Sequence, residues 1–235
     1  SGTLTLTDCI VDSNATSFTG GGIWSDGSLT LTGTTVSGNT SAFAGGGIYV
    51  FEGTAQLTDS IVHDNTASSF GGGFYNSGTS VGTGTTFSEN SAGSTGGGIV
   101  NTLSLSLTGT VLAGNKTTNV VGSGGAISNS GTLTLTDSEM TGNTSYVAGG
   151  ISNSGTVTIV GSTVAGNSAN GSGAFGGAFT NTGTVTMTNS TVTGNSANGT
   201  ANDAIVAPTM REAEHFAVIA GPAFDRSRAP SGPEM

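Results

Sequence analysis

One sentence of sequence recurs nearly from end to end of this chain, and that recurrence limits what it can fold into more than any single residue does. The first apolar residue after each glycine cluster is Ile23, Ile48, Phe74, Ile99, Ile127, Ile151 and Phe179, with steps of 25, 26, 25, 28, 24 and 28. An asparagine closes each unit, at Asn14, Asn39, Asn65, Asn90, Asn115, Asn143, Asn167 and Asn195. From apolar residue to asparagine the distance is 16 in six units and 17 in the unit that starts at Ile48. From asparagine to the next apolar residue it is 9, 9, 9, 9, 12, 8 and 12. Length variation confined to one corner of an otherwise fixed unit is the mark of stacked repeats.

Within the unit the period is 2, the strand period. Ten and eight residues before each asparagine stand pairs such as Leu4/Leu6, Leu29/Leu31, Leu105/Leu107, Leu133/Leu135 and Val157/Ile159. Three before it comes Val11, Val36, Val62, Phe87, Leu112, Met140, Val164 or Val192. Only the Asn90 unit breaks the paired columns, with Ser80 and Gly82. No stretch shows helical spacing, and β-branched residues and glycine dominate. The expectation is an all-β parallel β-helix (solenoid) of about eight coils, with three short strands and three turns per coil. Rungs ~4.8 Å apart make a rod roughly 35–40 Å long. The asparagine column reads as structural, since an Asn at a tight corner tolerates left-handed backbone and bonds neighbouring turns. A second column, Asn76, Asn101, Asn129, Asn153 and Asn181, reads the same way, with Ser25 and Val50 in its first two places.

The glycine–apolar motif with its later asparagine resembles right-handed parallel β-helix repeats of bacterial surface proteins, the polymorphic outer-membrane and pectate-lyase-like groups. Phrases such as Gly131-Thr-Leu-Thr-Leu-Thr-Asp137 and Gly183-Thr-Val-Thr-Met-Thr-Asn-Ser-Thr-Val-Thr-Gly-Asn195 carry the likeness, which covers residues 1–202. It implies a cell-surface, secreted or adhesive role and no particular activity. Composition shifts near Asp203: all four prolines, three of four basic residues and eight of 18 charges lie in 203–235. The expectation is a repeat domain over 1–202 and a C-terminal cap or extension over 203–235, with a short helix or irregular cap across 209–220. The chain starts at Ser1, inside a rung and without a signal peptide, which reads as a trimmed product with a strand edge free to meet another molecule.

Composition narrows the partners. Four basic residues against 14 acidic give a net charge of −10. Nucleic acid needs a cationic footprint to neutralise phosphate, so none is expected. No apolar run approaches the ~20 residues that span a bilayer, so no membrane insertion is expected. A single cysteine, Cys9, cannot build an intrachain disulfide framework or a cysteine-rich metal site. The low charge and the Thr/Ser/Asn-rich surface suit an extracellular or cell-surface setting.

Candidate chemistry is sparse. A polysaccharide lyase needs a base and, in general, carboxylates grouped against an acidic sugar. Lys116 is the only basic residue within the repeats, and the aligned acidic column, Asp8, Asp59 and Asp137, skips coils. Those aspartates read as turn residues. His63 and His215 lie in different regions, without metal-ligand spacing. No catalytic residue, metal site or cofactor is expected, and the chain reads as a non-enzyme.

One outward feature remains. Nine and seven residues before the asparagines stand Thr5 and Thr7, Thr30 and Thr32, Thr58, Thr83, Thr108, Thr134 and Thr136, Thr158, and Thr186 and Thr188, broken at Gln56, Val81, Ser106 and Val160. They form two rows on a flat face, and such T-x-T arrays on a β-helix look like those of ice-binding proteins. The leading expectation is a structural or adhesive extracellular rod (stalk, adhesin or fibre subunit) that self-associates through its coil ends or binds glycans. Ice binding through the threonine rows is the alternative, and a polysaccharide-binding or lyase-like protein the second.

Overall fold

A computed structural model of the chain describes residues 2–198, 205–206 and 217–219. It shows an all-β parallel β-solenoid of about eight coils, with no helix among the described residues. Each coil has four strands. In the second coil they are Ile23–Ser25, Ser28–Thr32, Thr35–Ser37 and Thr40–Ser41. Stacked coil on coil they form four parallel sheets. Sheet 1 collects the five-residue strands from Thr3–Thr7 to Thr184–Thr188, and sheet 2 the three-residue strands that begin with Ile10–Asp12. Sheet 3 holds the two-residue strands that begin with Ala15–Thr16, and sheet 4 the strands that follow the glycines, from Ile23–Ser25 on. The expected three strands per coil are therefore corrected to four. The one missed is the pair just after each asparagine, and two residues are too few for an alternation to be read.

Register is like on like. Leu4 pairs with Leu29 and Leu6 with Leu31 in sheet 1, and Val36 with Val62 in sheet 2. These columns, with Ile48, Phe74 and Ile99 of sheet 4, are sealed inside at no more than 5% exposure from the second coil onward. The coil that breaks the leucine columns is repaired from the opposite wall. Ser80 and Gly82 remove volume there, and the same coil carries Phe74 and Phe87, both buried, with rings 6.1 Å apart and nearly parallel. Leu107 of the next rung fills the space where a side chain at position 82 would sit. Close packing demands such compensation, because a void forfeits contacts on all its sides.

Two columns turn the corners in left-handed backbone. Six residues before each asparagine stand Asp8, Gly33, Asp59, Gly84, Gly109, Asp137, Gly161 and Asn189, all with φ between 47° and 60°. The residue just before each asparagine is also left-handed, whether Gly38 or Gly114, or Ser13, Asp64 or Glu89. Only glycine, and next to it Asn and Asp, takes this region at low cost. The aspartate column thus serves as turn residues. The 17-residue unit absorbs its extra residue between sheets 4 and 1. Phe51 N–H still bonds Ser25 O and Thr54 N–H bonds Gly27 O, while Glu52 takes up the slack at φ 56°.

Beyond residue 198 two short strands continue the stack. Ile205–Val206 pairs with Phe179–Thr180 in sheet 4, and Ala217–Ile219 with Thr191–Thr193 in sheet 2. Where a helix or irregular cap was expected over 209–220, positions 217–219 are strand. The rest of that segment and the boundary at 202/203 lie outside the described residues.

Candidate functional site on the outer faces

Three polar ladders run through the interior. In the first, each closing asparagine donates from Nδ2 to the Oδ1 of the next: Asn39 to Asn65 at 3.0 Å, Asn65 to Asn90 at 3.1 Å, and onward to Asn167–Asn195 at 2.9 Å. The same Oδ1 accepts the backbone N–H of the asparagine before it, as Asn90 Oδ1 does from Asn65 N at 3.1 Å. The second Nδ2 hydrogen goes to a carbonyl one coil back, as from Asn90 to Val62 O at 2.8 Å. Donors and acceptors are thus fully used, which is what makes a buried amide tolerable. The second ladder runs Asn76, Asn101, Asn129, Asn153, Asn181 with links of 2.7–2.9 Å.

The third ladder was not anticipated from the sequence. Five residues before each asparagine stand Cys9, Thr34, Ser60, Thr85, Thr110, Ser138, Ser162 and Ser190. Ser138 N–H donates to Ser162 Oγ at 3.0 Å and Ser162 N–H to Ser190 Oγ at 3.1 Å. Cys9 occupies the first place, its thiol donating to Thr7 O at 3.1 Å. Counting back from the asparagines, as for the apolar columns, reveals this ladder too.

With the inside so occupied, the outer faces are what remains. The twelve threonines all lie on the outer side of sheet 1, half-buried or exposed. The row seven before the asparagines is unbroken over six rungs, Thr7, Thr32, Thr58, Thr83, Thr108 and Thr136, then meets Val160 before Thr188. The other row joins Thr5 to Thr30, and Thr134 to Thr158 and Thr186, across a gap of Gln56, Val81 and Ser106. A two-row lattice therefore exists on adjacent rungs only where Thr5/Thr7 meets Thr30/Thr32.

The ionisable residues are dispersed. Among the described residues no three His, Cys, Asp or Glu side chains come close enough to hold a metal ion. His63 Nδ1 lies 2.7 Å from Asp64 Oδ2 at a corner. Asp12 accepts from Ser37 Oγ at 2.8 Å and Ser13 Oγ at 2.9 Å, and these bonds lower its pKa, with a smaller contribution from the nearby His63. Lys116 opens a sheet 3 strand with its side chain exposed.

The outer column of sheet 4 is different in kind. The middle residue of each of its strands points outward: Trp24, Tyr49, Tyr75, Val100, then Ser128, Ser152 and Thr180. Tyr49 and Tyr75 stack with centroids 4.8 Å apart and planes 6° from parallel. Burial, and then the neighbouring Tyr49, raise the Tyr75 pKa above its ordinary value. At the corner just before sheet 4 more aromatic residues gather on the same rungs: Phe18 and Phe43 follow one another in one column, and Phe70, which pairs with Ala44 one position further on, meets the Phe43 ring edge to face at 5.3 Å. Reading the residue after Ile23, Ile48 and Phe74 locates the first row in the sequence. Further along, Thr117, Asn119, Tyr146 and Asn170 line a shallow cavity of about 170 Å³ at the variable corner.

No protein-family model, curated protein or solved structure matches this chain. The likeness to bacterial surface repeats is thus supported at the level of the parallel β-solenoid alone.

Proposed function

We propose that this chain is a non-enzymatic extracellular rod, acting as a stalk, adhesin or fibre subunit that displays its outer faces to a partner. The observation that carries this reading is the use of the interior asparagines: they bond one another from rung to rung, so the most recurrent polar side chains of the repeat are committed to holding the stack together. Continuous parallel ladders resist extension along the axis, and few charges leave the outer faces rich in hydrogen-bonding groups. A lyase-like reading lacks support, since Lys116 opens a sheet 3 strand with its side chain exposed while Asp8, Asp59 and Asp137 occupy left-handed turns of non-adjacent coils. Retention of protein-coated beads on cell or glycan surfaces under flow tests the adhesive part; no retention on any surface removes it. The reading includes rods that associate through the strand edges of their terminal rungs. A single monomeric species in sedimentation across a wide concentration range would remove that part.

Ice binding is the second reading, favoured by the six-rung threonine row from Thr7 to Thr136. Thermal hysteresis of the purified chain decides it, and a freezing point equal to the melting point ends it.

A further inference from the structure

We infer that the aromatic strip over residues 18–75 binds a short segment of a linear, uncharged saccharide lying parallel to the rod axis. This deepens the adhesive reading above by naming a face and a ligand class.

The strip has two walls and a floor. Phe18 and Phe43, with Phe70 set one position further along its rung against the Phe43 ring, form one wall; Trp24, Tyr49 and Tyr75 form the other. On each rung the two walls are separated in the chain by three consecutive glycines, such as Gly45 to Gly47 between Phe43 and Tyr49, and the intervening Ala44 and Ile48 are fully buried. A Cβ at Gly45 would run into the Ile48 carbonyl and the Tyr49 Cβ, so only glycine lets the corner turn this tightly beneath the ring column. Phe18 is 76% exposed, Phe43 51% and Trp24 50%. Large apolar groups gathered in the open mark an interaction site.

Four observations select the occupant. The strip follows the axis for three rungs, about 10 Å from first to last, which fits a linear ligand. Both walls are rings alone, and aliphatic character enters only at Val100, where the strip ends. Ring π faces attract the C–H groups of a pyranose, and the phenol hydroxyls of Tyr49 and Tyr75 hydrogen-bond its hydroxyls. The floor is already hydrogen-bonded within the rod: Gly45 N–H to Phe70 O at 2.9 Å and Gly46 N–H to Gly71 O at 3.1 Å. An extended peptide laid there could not add to the ladder, so strand addition, the usual source of peptide affinity on a β surface, is closed. Finally, Glu52 stands exposed at the far edge of the middle rung beside Phe51, itself 42% exposed. Its carboxylate accepts from sugar hydroxyls and repels anionic sugars.

The molecule supplies both reporter and control. Trp24 is the single tryptophan and sits on the strip. Ser128 and Ser152 occupy the same column in later coils, so the fold accepts serine there. The experiment titrates the parent chain and a Tyr49→Ser, Tyr75→Ser variant with neutral β-linked hexasaccharides of glucose, xylose, mannose and N-acetylglucosamine, following Trp24 emission. Circular dichroism confirms that the variant is folded. The expected result is a saturable emission change with at least one sugar, weakened about tenfold or more in the variant, the scale on which a few ring contacts dominate binding. No saturable change with any of the four, or equal affinity in the variant, overturns the inference. So does a parent that dimerises where the variant does not and that ignores every sugar, since the occupant would then be a second copy. A parent that ignores saccharide yet still adheres in the bead assay defeats this inference and leaves the adhesive reading standing.

Discussion

The coils over residues 18–75 and those over 128–180 share one interior and wear different exteriors. In both stretches the closing asparagines make the same three kinds of bond, as at Asn65 and at Asn143. In both, sheet 1 buries two apolar residues per strand. Outside, the middle residue of sheet 4 is Trp24, Tyr49 and Tyr75 in the first stretch and Ser128, Ser152 and Thr180 in the second. The inner positions are fixed by neighbours one rung away on both sides, so a change there must be made in register with them. The outer positions meet solvent and are free to specialise. Differences between coils of a solenoid therefore point to function, and agreements point to the fold.

The largest test of that contrast is to break the shared part at two places. Asn90→Ala removes the acceptor for Asn65 N–H and Nδ2 and the donor to Val62 O, all buried. Asn143→Ala removes the equivalent bonds to Asn115 and Leu112. At 1–3 kcal/mol per stranded buried group, each variant should lose about 3–5 kcal/mol in urea unfolding. The two should also agree within about 1 kcal/mol, since their surroundings match. A loss below about 1 kcal/mol at either site would show that water replaces the ladder there.

A smaller effect of opposite sign is expected two residues after the asparagines. That column holds alanine at Ala67, Ala92 and Ala169 but serine at Ser41 and Ser145, whose hydroxyls are buried without a hydrogen-bond partner. Ser41→Ala and Ser145→Ala should each stabilise the chain by about 1 kcal/mol, by relieving an unpaid desolvation. Destabilisation by either would mean that an ordered water completes the site.

The sequence shows the interior far more readily than the exterior, and the reason is physical. Inward columns repeat because each residue packs on its own copy, so the apolar and asparagine ladders could be counted before any coordinates. The hydroxyl ladder escaped because serine and threonine crowd the outer faces as well, and composition hides which of them turn inward. The two-residue strands of sheet 3 escaped because they are shorter than one alternation. The aromatic strip escaped for another reason: its two rows lie several residues apart in the chain, and only the glycine corner places them along one edge. The threonine rows lie on the outer side of sheet 1, where the interruption at Gln56, Val81 and Ser106 leaves one of the two discontinuous.

On the exterior, stability and function should separate. Tyr49→Ser with Tyr75→Ser should shift unfolding by no more than about 1 kcal/mol, because the rings are half-exposed and stacked aromatic pairs add roughly that much. A loss as large as that of Asn90→Ala would make the strip a part of the fold rather than a face it carries.

The smallest effect is a titration confined to the aromatic stretch. Burial, and then Tyr49, raise the Tyr75 pKa above the ordinary phenol value. A folded-state pKa above the unfolded one means that the fold favours the neutral phenol. Its stabilising contribution is complete below the unfolded pKa of about 10, and is lost as pH rises through the folded value. In a phenolate absorbance titration, the ionisation that lies above the ordinary phenol range should disappear in Tyr75→Phe. In Tyr49→Phe it should persist but move down only part of the way, because the charge of Tyr49 is removed while burial remains. Saccharide bound along the strip would bury the ring further and move the same titration upward. A Tyr75 that ionises at the ordinary value, with or without sugar, would mean that the stack stands open to water and that the early coils differ from the late ones in composition alone.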